Sequence, residues 1–249
     1  MTSYRIEHQT TYTYDSDVTG SYGLFHLRPR DLDWQHCVAH EISVDPEPAD
    51  LFRHFDLYGN TKSYFHVVRP HTTLKITAIS VVEVARQDLD PDALAVPWEQ
   101  ARPGQRPDQP DAWEATDFTY KSGATTTSTK VSELLTDMRG VCQDFSHFMV
   151  SGLRSLGLAG RYVSGYLATR PPPGKPRLVG ADASHAWVGC WIPGAGWLYL
   201  DPTNNRLADE SHATVAWGRD YGDVPPVKGV IFSEAKKSQL KVSVDMLVI

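Results

Sequence analysis

One segment of this chain carries helical periodicity without interruption for three turns. Between Gly140 and Gly157, the residues Phe145, Phe148, Met149, Gly152, Leu153 and Leu156 recur at i, i+3, i+4, i+7, i+8 and i+11. That spacing lines one face of an α-helix, and Gly157 supplies its stop. Most of the rest alternates with a period of two. Tyr4, Ile6, His8, Thr10, Tyr12 and Tyr14 alternate with Arg5, Glu7, Gln9, Thr11 and Thr13, which predicts a strand with one packed face. "VAHEISV" and "TLKITAISVVEVA" continue the pattern, and "DLYGNTKSYF" sets a Gly-Asn turn between two such runs. The expected class is therefore α+β, opening with an antiparallel, sandwich-like β domain.

A break follows. Five prolines fall between Asp90 and Asp111, and the β pattern stops. Helical spacing then begins with Val131, Leu134, Leu135 and Met138, with Thr129 as N-cap and Gly140 as stop. After the firm helix come three β runs: "RYVSGYLAT", "SHAWVGCWI" and "GWLYLDP". The proline-rich "RPPPGKPRLVG" between the first two is an expected exposed loop. The tail alternates again and puts Leu240, Val242, Val244, Met246 and Val248 on one face. The expected organisation is a β domain over residues 1–90, a partly helical connection over 91–125, and a core with a β tail over 126–249.

The totals exclude some functions. A net charge of −6 over 249 residues gives no electrostatic footprint for nucleic acid or an anionic membrane. No apolar run is long enough for a membrane-spanning helix. "MTSYRIEHQTTYTY" lacks the basic and apolar regions of a secretory signal. The three cysteines, Cys37, Cys142 and Cys190, are an odd number and suggest no disulfide framework. The expected compartment is the cytoplasm, with free thiols.

Cys142 is the cysteine with a position to explain. It lies two residues after Gly140, at the expected helix start, where unpaired amide groups favour an anion. A thiolate is that anion, and the same amides can serve an oxyanion. A lone cysteine is more often a small core residue. His185 at the head of one strand and Asp201 at the end of the next change that balance. Taken singly they are a structural histidine and a turn former; taken with Cys142 they are a nucleophile, a base and an orienting acid that one sheet edge can bring together. The nine other histidines have no comparable context.

These residues carry a family resemblance. "GVCQDFSHFMVSGLRSLGLAGRYVSGYL", "DASHAWVGCWIPGAGWLYLDPTNN" and "GRDYGDVPPVKGV" resemble the transglutaminase-like superfamily of papain-type fold, in its bacterial, cysteine-protease-labelled branch. "YRIEHQTTYTYDSDV", "LRPR" and "YGNTKSYF" are similar to the β domain that precedes the core there. The resemblance implies a core in which the cysteine helix packs on an antiparallel sheet. It also implies Cys142 as nucleophile, His185 as base and Asp201 as the residue that orients it, with a peptide or protein as substrate. No cofactor or metal is implied.

The expected chemistry is attack of sulfur on an amide carbonyl, proton transfer from His185 to the leaving amine, and a thioester that water or an amine resolves. Gln143 is a candidate oxyanion donor beside the backbone N–H, and Tyr166 and Trp187 are candidate cleft walls, with core packing an equal reading for Trp187. Asp144 is expected to serve the helix, and Cys190, an odd number of steps from His185, to face away, buried and inert. Two other readings remain: a metal site, for which close-spaced ligand pairs are absent, and a peptide-binding module without activity. The triad also demands a register. Asp201 reaches His185's face only if the turn after Ile192 has an odd length or a bulge.

Overall fold

The computed structural model describes residues 1–95, 97, 99, 119–121, 125, 136–137, 139–169 and 183–249. The strands are β1 (Thr2–Phe25), β2 (Gln35–Asp45), β3 (Asp50–Phe55), β4 (Thr61–Val67), β5 (His71–Val84), β6 (Thr119–Tyr120) and β7 (Arg139–Gly140). After the helix Cys142–Ser155 come β8 (Gly160–Leu167), β9 (Ala183–Ile192), β10 (Gly196–Asp201), β11 (Arg206–Leu207), β12 (His212–Gly218), β13 (Val227–Ser233) and β14 (Ser238–Val248).

The first sheet has seven antiparallel strands in the order β2-β5-β1-β4-β3, with β13 and β14 also on β1. β1 is the spine. Its first half pairs with β5 on one edge and β14 on the other. Its second half pairs with β4 and β13. A register shift between Thr13 and Val18 divides the halves and lets the sheet curl. The alternation read from Tyr4 to Tyr14 is the burial pattern observed, with Tyr12 alone only half-buried. Tyr14, Val18, Phe25, Phe65, Val67 and Ile76 form a core enclosed by the curl.

The second sheet has the order β11-β10-β9-β8-β12, and the Cys142 helix packs on β9 and β8. A second core joins the two sheets: Tyr4, Ile6, Val82, Val244 and Met246 meet Tyr162, Tyr166, Ala186 and Val215. The tail grouped with the core by sequence order thus belongs to the first sheet. Periodicity identifies a strand but not its partner, and β1 offers a free edge there. Only Val244 and Met246 of the expected tail face are buried; Leu240, Val242 and Val248 are exposed.

The helix begins at Cys142, after an extended Val141. With no polar N-cap, the carboxylate of Asp144 reaches back to accept the Val141 N–H at 2.8 Å, and it also accepts the Thr125 hydroxyl at 2.5 Å. At the far end Gly157, at φ 77°, lets its N–H and that of Leu158 close on the Arg154 and Leu153 carbonyls. The buried face is rotated from the expected stripe. Asp144, Phe145, Ser146 and Val150 are buried, Phe148, Met149, Leu153 and Leu156 are half-buried, and Gly152 is exposed. Small and polar residues occupy the tight approach to the sheet, so hydrophobicity alone misplaces its centre. The helix expected over 131–138 lies outside the described residues, except that Thr136 and Asp137 are helical. The Arg170–Gly180 loop and most of the proline-rich connection also lie outside them; within the latter, Pro91–Leu94 forms one helical turn. Among the described residues no helix is long and apolar enough to cross a membrane.

Two glycines make opposite predictions. A Cβ on Gly165 would lie 2.2 Å from the Ala213 carbonyl oxygen and 2.4 Å from the Trp187 ring. Gly165→Ala is therefore expected to destabilise by roughly 1–3 kcal/mol through overpacking. A Cβ on Gly152 meets nothing within 4 Å, so Gly152→Ala should stabilise by up to about 1 kcal/mol. Urea unfolding of the two variants checks both signs.

Candidate active site

The β9–β10 hairpin meets the register demand. Ile192 faces Gly196 across the turn Pro193–Ala195, whose odd length is set by Gly194 at φ 85° and Gly196 at φ 80°, conformations that favour glycine. Leu200 pairs with Val188, so Asp201 falls opposite Trp187, on the face that His185 shares. The His185 ring Nε2 lies 2.9 Å from Asp201 Oδ2. Cys142 lies near enough on the other side to help hold the His185 proton. With Nε2 committed to the carboxylate, the ring's other nitrogen, Nδ1, serves the sulfur.

Asp201 is 1% exposed, and its burial is compensated by donors. Pro202 ends the strand, and the following turn folds back so that the Thr203 and Asn204 N–H groups reach Oδ1 at 3.1 and 3.2 Å. The Asn204 amide donates to Oδ2 at 2.6 Å, and His212 Nε2 stands 3.1 Å from the same oxygen. Burial alone would raise the Asp201 carboxyl, but hydrogen bonds from His185 and His212, with the nearby His185 charge, hold it well below the usual carboxylate range. For His185 the balance runs the other way. Burial would lower its pKa, but the hydrogen bonds with Asp201 and Cys142 outweigh it and push the ring up to about 9.

The other candidates fall in different places. Gln143 is half-buried beside Cys142 in the first helical turn. Tyr166 is buried between the sheets, where its hydroxyl meets His8 Nδ1 at 3.1 Å. Trp187 is 0% exposed and packs edge-on against His212 at 5.3 Å. Tyr166 and Trp187 therefore support the site from behind and do not wall a cleft from these positions. Cys190 is buried, and burial pushes its thiol up. Two other tyrosines lie on the core edge that Cys142 shares. Half-buried Tyr221 and Cys142 pack on the same inter-sheet core, and Tyr162 is fully buried close enough to feel Cys142's charge.

His212 and Asn204 complete the group around Asp201. Asn204 lies three residues after Asp201, in the turn that Pro202 opens. His212 was one histidine among ten. A signal did exist: Ser184-His185-Ala186 and Ser211-His212-Ala213 repeat one tripeptide at the heads of two strands. Both strands flank β8, where His185 pairs with Gly165 and His212 with Leu167. Gly165 has no side chain, and the Trp187 ring fills that space and reaches His212. His185, Asp201 and His212 offer metal-ligand atoms within 4.8 Å of one another. Two of those contacts are the hydrogen bonds already described.

Two family sequence models match this chain: the bacterial transglutaminase-like N-terminal region over residues 4–83, and the transglutaminase-like superfamily over residues 100–202. An uncharacterized protein of Mycobacterium tuberculosis is 43% identical over 98% of this chain and 92% of its own length. One of Mycobacterium leprae is 31% identical over 97% of each. A protein-glutamine gamma-glutamyltransferase of Pseudomonas aeruginosa is 40% identical over 29% of this chain and 11% of its own. A solved structure from Cytophaga hutchinsonii, provisionally named a cysteine protease, superposes with a TM-score of 0.67 over 98% of this chain and 90% of its own, at 18% identity. That likeness is one of fold.

The His185 shift has a sign that can be tested. A ring held at about 9, above its unfolded value near 6.5, adds stability that is fully present below about pH 6.5. That contribution is lost as pH rises through about 9. The stability advantage of the parent over His185→Gln should therefore shrink between pH 6.5 and 9.5, measured by urea unfolding at each pH. A gap that widens over that window contradicts the shift.

Proposed function

Because this chain belongs to the bacterial transglutaminase-like superfamily, we propose that it is a cysteine-dependent enzyme acting on amide bonds of peptides or proteins through a thioester. The observation that carries this reading is the position of His185 between Cys142 and Asp201. His185 holds the thiol proton on Nδ1, and Cys142 Sγ attacks the carbonyl carbon as the thiolate. The oxyanion meets the backbone N–H at Cys142 and a second donor, for which the Gln143 amide is the nearest polar side chain in sequence. His185 then gives its proton to the leaving amine, and the C–N bond breaks. Asp201 keeps the ring oriented and balances its positive charge.

Water attacking the thioester gives hydrolysis, with His185 now taking the proton from water. A primary amine in its place gives a new amide. Hydrolysis by a protease or amidase is the primary reading. The 40% identity to part of a protein-glutamine gamma-glutamyltransferase supports transamidation as the second. Three free thiols, Cys37, Cys142 and Cys190, fit a reducing compartment, and the cytoplasm is the proposed one.

The test is incubation with a peptide library, with and without a primary amine, read by mass spectrometry. Cleavage or deamidation marks hydrolysis, and amine incorporation with loss of ammonia marks transfer. Cys142→Ala should lower either by on the order of 10⁴-fold or more, His185→Ala nearly as much, and Asp201→Ala less. A peptide-binding module would bind the same peptides and leave them intact. Activity should survive a chelator; a loss that added metal reverses would favour a metal held by His185, Asp201 and His212. Full activity in Cys142→Ala ends the nucleophile assignment.

A further inference from the structure

The hydrogen bonds around Asp201 continue beyond the three residues used above. On the side away from His185, the carboxylate meets His212, a second buried imidazole. His212 is itself held from behind. Its Nδ1 lies 3.0 Å from Asp209 Oδ1 and 3.1 Å from the Asp209 backbone N–H. Asp209 Oδ1 accepts the Ser211 hydroxyl at 2.5 Å and the Ser211 N–H at 2.9 Å. At the surface Arg206 donates to Asp209 Oδ2 at 3.2 Å and to the Ser211 hydroxyl at 3.2 Å. An unbroken line of polar contacts therefore runs from Arg206 through Asp209, His212 and Asp201 to His185.

We propose that His212, anchored by Asp209, is a positioning residue that fixes the Asp201 carboxylate and moderates how strongly it acts on His185. This deepens the acyl-transfer reading and rests on it. A carboxylate oxygen shared between two imidazoles and an amide divides its charge among its donors. When His212 takes part of that charge, less of it falls on His185. The ring is then held as an acid strong enough to protonate a leaving amine, and is not locked in its protonated form. A structural histidine filling the same space would pack equally well on Trp187. It would not need two carboxylates, one on either nitrogen. The charged and titratable groups that face His212 are Asp201 from the end of β10, His185 from β9 and Asp209 from the loop before β12. Arg206 reaches it only through Asp209.

The test is the rate of Cys142 alkylation by iodoacetamide against pH, compared among the parent, His212→Leu and His212→Gln. A thiol paired with His185 gives two inflections, and the upper one marks loss of the His185 proton. Leucine removes the donor, so the upper inflection should rise by about 0.5–1 pH unit, the equivalent of roughly one hydrogen bond. Glutamine restores a donor at that reach and should return the inflection towards the parent. Superimposable profiles, a downward shift in His212→Leu, or a glutamine variant that behaves like leucine would each overturn the proposal. If His212→Leu does not fold, Asp209→Ala, at a partly exposed position, carries the same test. It unanchors His212 and should give a smaller shift of the same sign, and no shift overturns the proposal. Failure of the underlying reading looks different: Cys142 in the parent would then alkylate no faster than Cys37 or Cys190.

Discussion

Five donors converge on one buried carboxylate, and the arrangement of β9, β10 and β12 can be traced to supplying them. Thr203 and Asn204 give backbone N–H groups to Asp201 Oδ1, while His185, His212 and the Asn204 amide meet Oδ2. An ionised group this deep costs several kcal/mol unless its lone pairs are met. Each donor depends on a different element. The odd hairpin turn aims Asp201 at His185. Pro202 ends the strand so that the chain can curl back under the carboxylate. The pairing of β12 with β8 places His212 on the remaining side. Losing any one leaves the charge underpaid, so β9, β10 and β12 are specified together.

The route of the chain reinforces this. β1 begins the first sheet, and β13 and β14 return to it after the second sheet is complete. The second sheet is therefore held at both ends by one spine strand. The core between the sheets is built from Tyr4, Ile6, Val244 and Met246 on one side and Tyr162, Tyr166 and Val215 on the other. Cys142 and Tyr221 pack on the edge of that core. The N-terminal sheet thus does more than precede the second sheet: it supplies part of the floor on which Cys142 and Tyr221 rest. Buried His8 shows how closely the sheets fit. It bonds Thr10 and Tyr166, and burial lowers its pKa to about 4, so it stays neutral where the sheets meet.

Patterns local in sequence were legible, and patterns that depend on pairing were not. Alternation from Tyr4 to Tyr14 reported a buried face because one strand's side chains need no knowledge of its neighbours. The stop at Gly157 was readable because left-handed backbone favours glycine. The meeting of His185 with Asp201 was readable for a similar reason: each residue sits near the end of a strand that its own neighbours define. The partner of β14 could not be read, since any unpaired edge satisfies an alternating strand. Whether Trp187 and Tyr166 wall a cleft or pack in the core could not be read, because strand parity gives a face and not its depth. His212 escaped notice because its importance comes from a sheet order, β9-β8-β12, that skips over sequence neighbours.

Exposure rises along the line from Asp201 through His185 to Cys142. Asp201 is 1% exposed, His185 is 9% exposed and Cys142 is half-buried at the first turn of its helix. The order has a physical reason. Charges in a low-dielectric interior interact more strongly than charges in water, so the member that never reacts gains most from being deepest. On the proposed reading Cys142 must meet a substrate and has to remain reachable, and there the helix amides take over the stabilisation of negative charge. His185 stands between the two regimes, fixed on one nitrogen by the interior, with the other left on the proposed reading to serve the sulfur. Placing Cys142 deeper would strengthen its pairing with His185 and close its access. Placing Asp201 nearer the surface would let water compete for its oxygens and loosen the ring. The three burial levels together allow a rigid orienting group and an accessible thiol within one short hydrogen-bonded line.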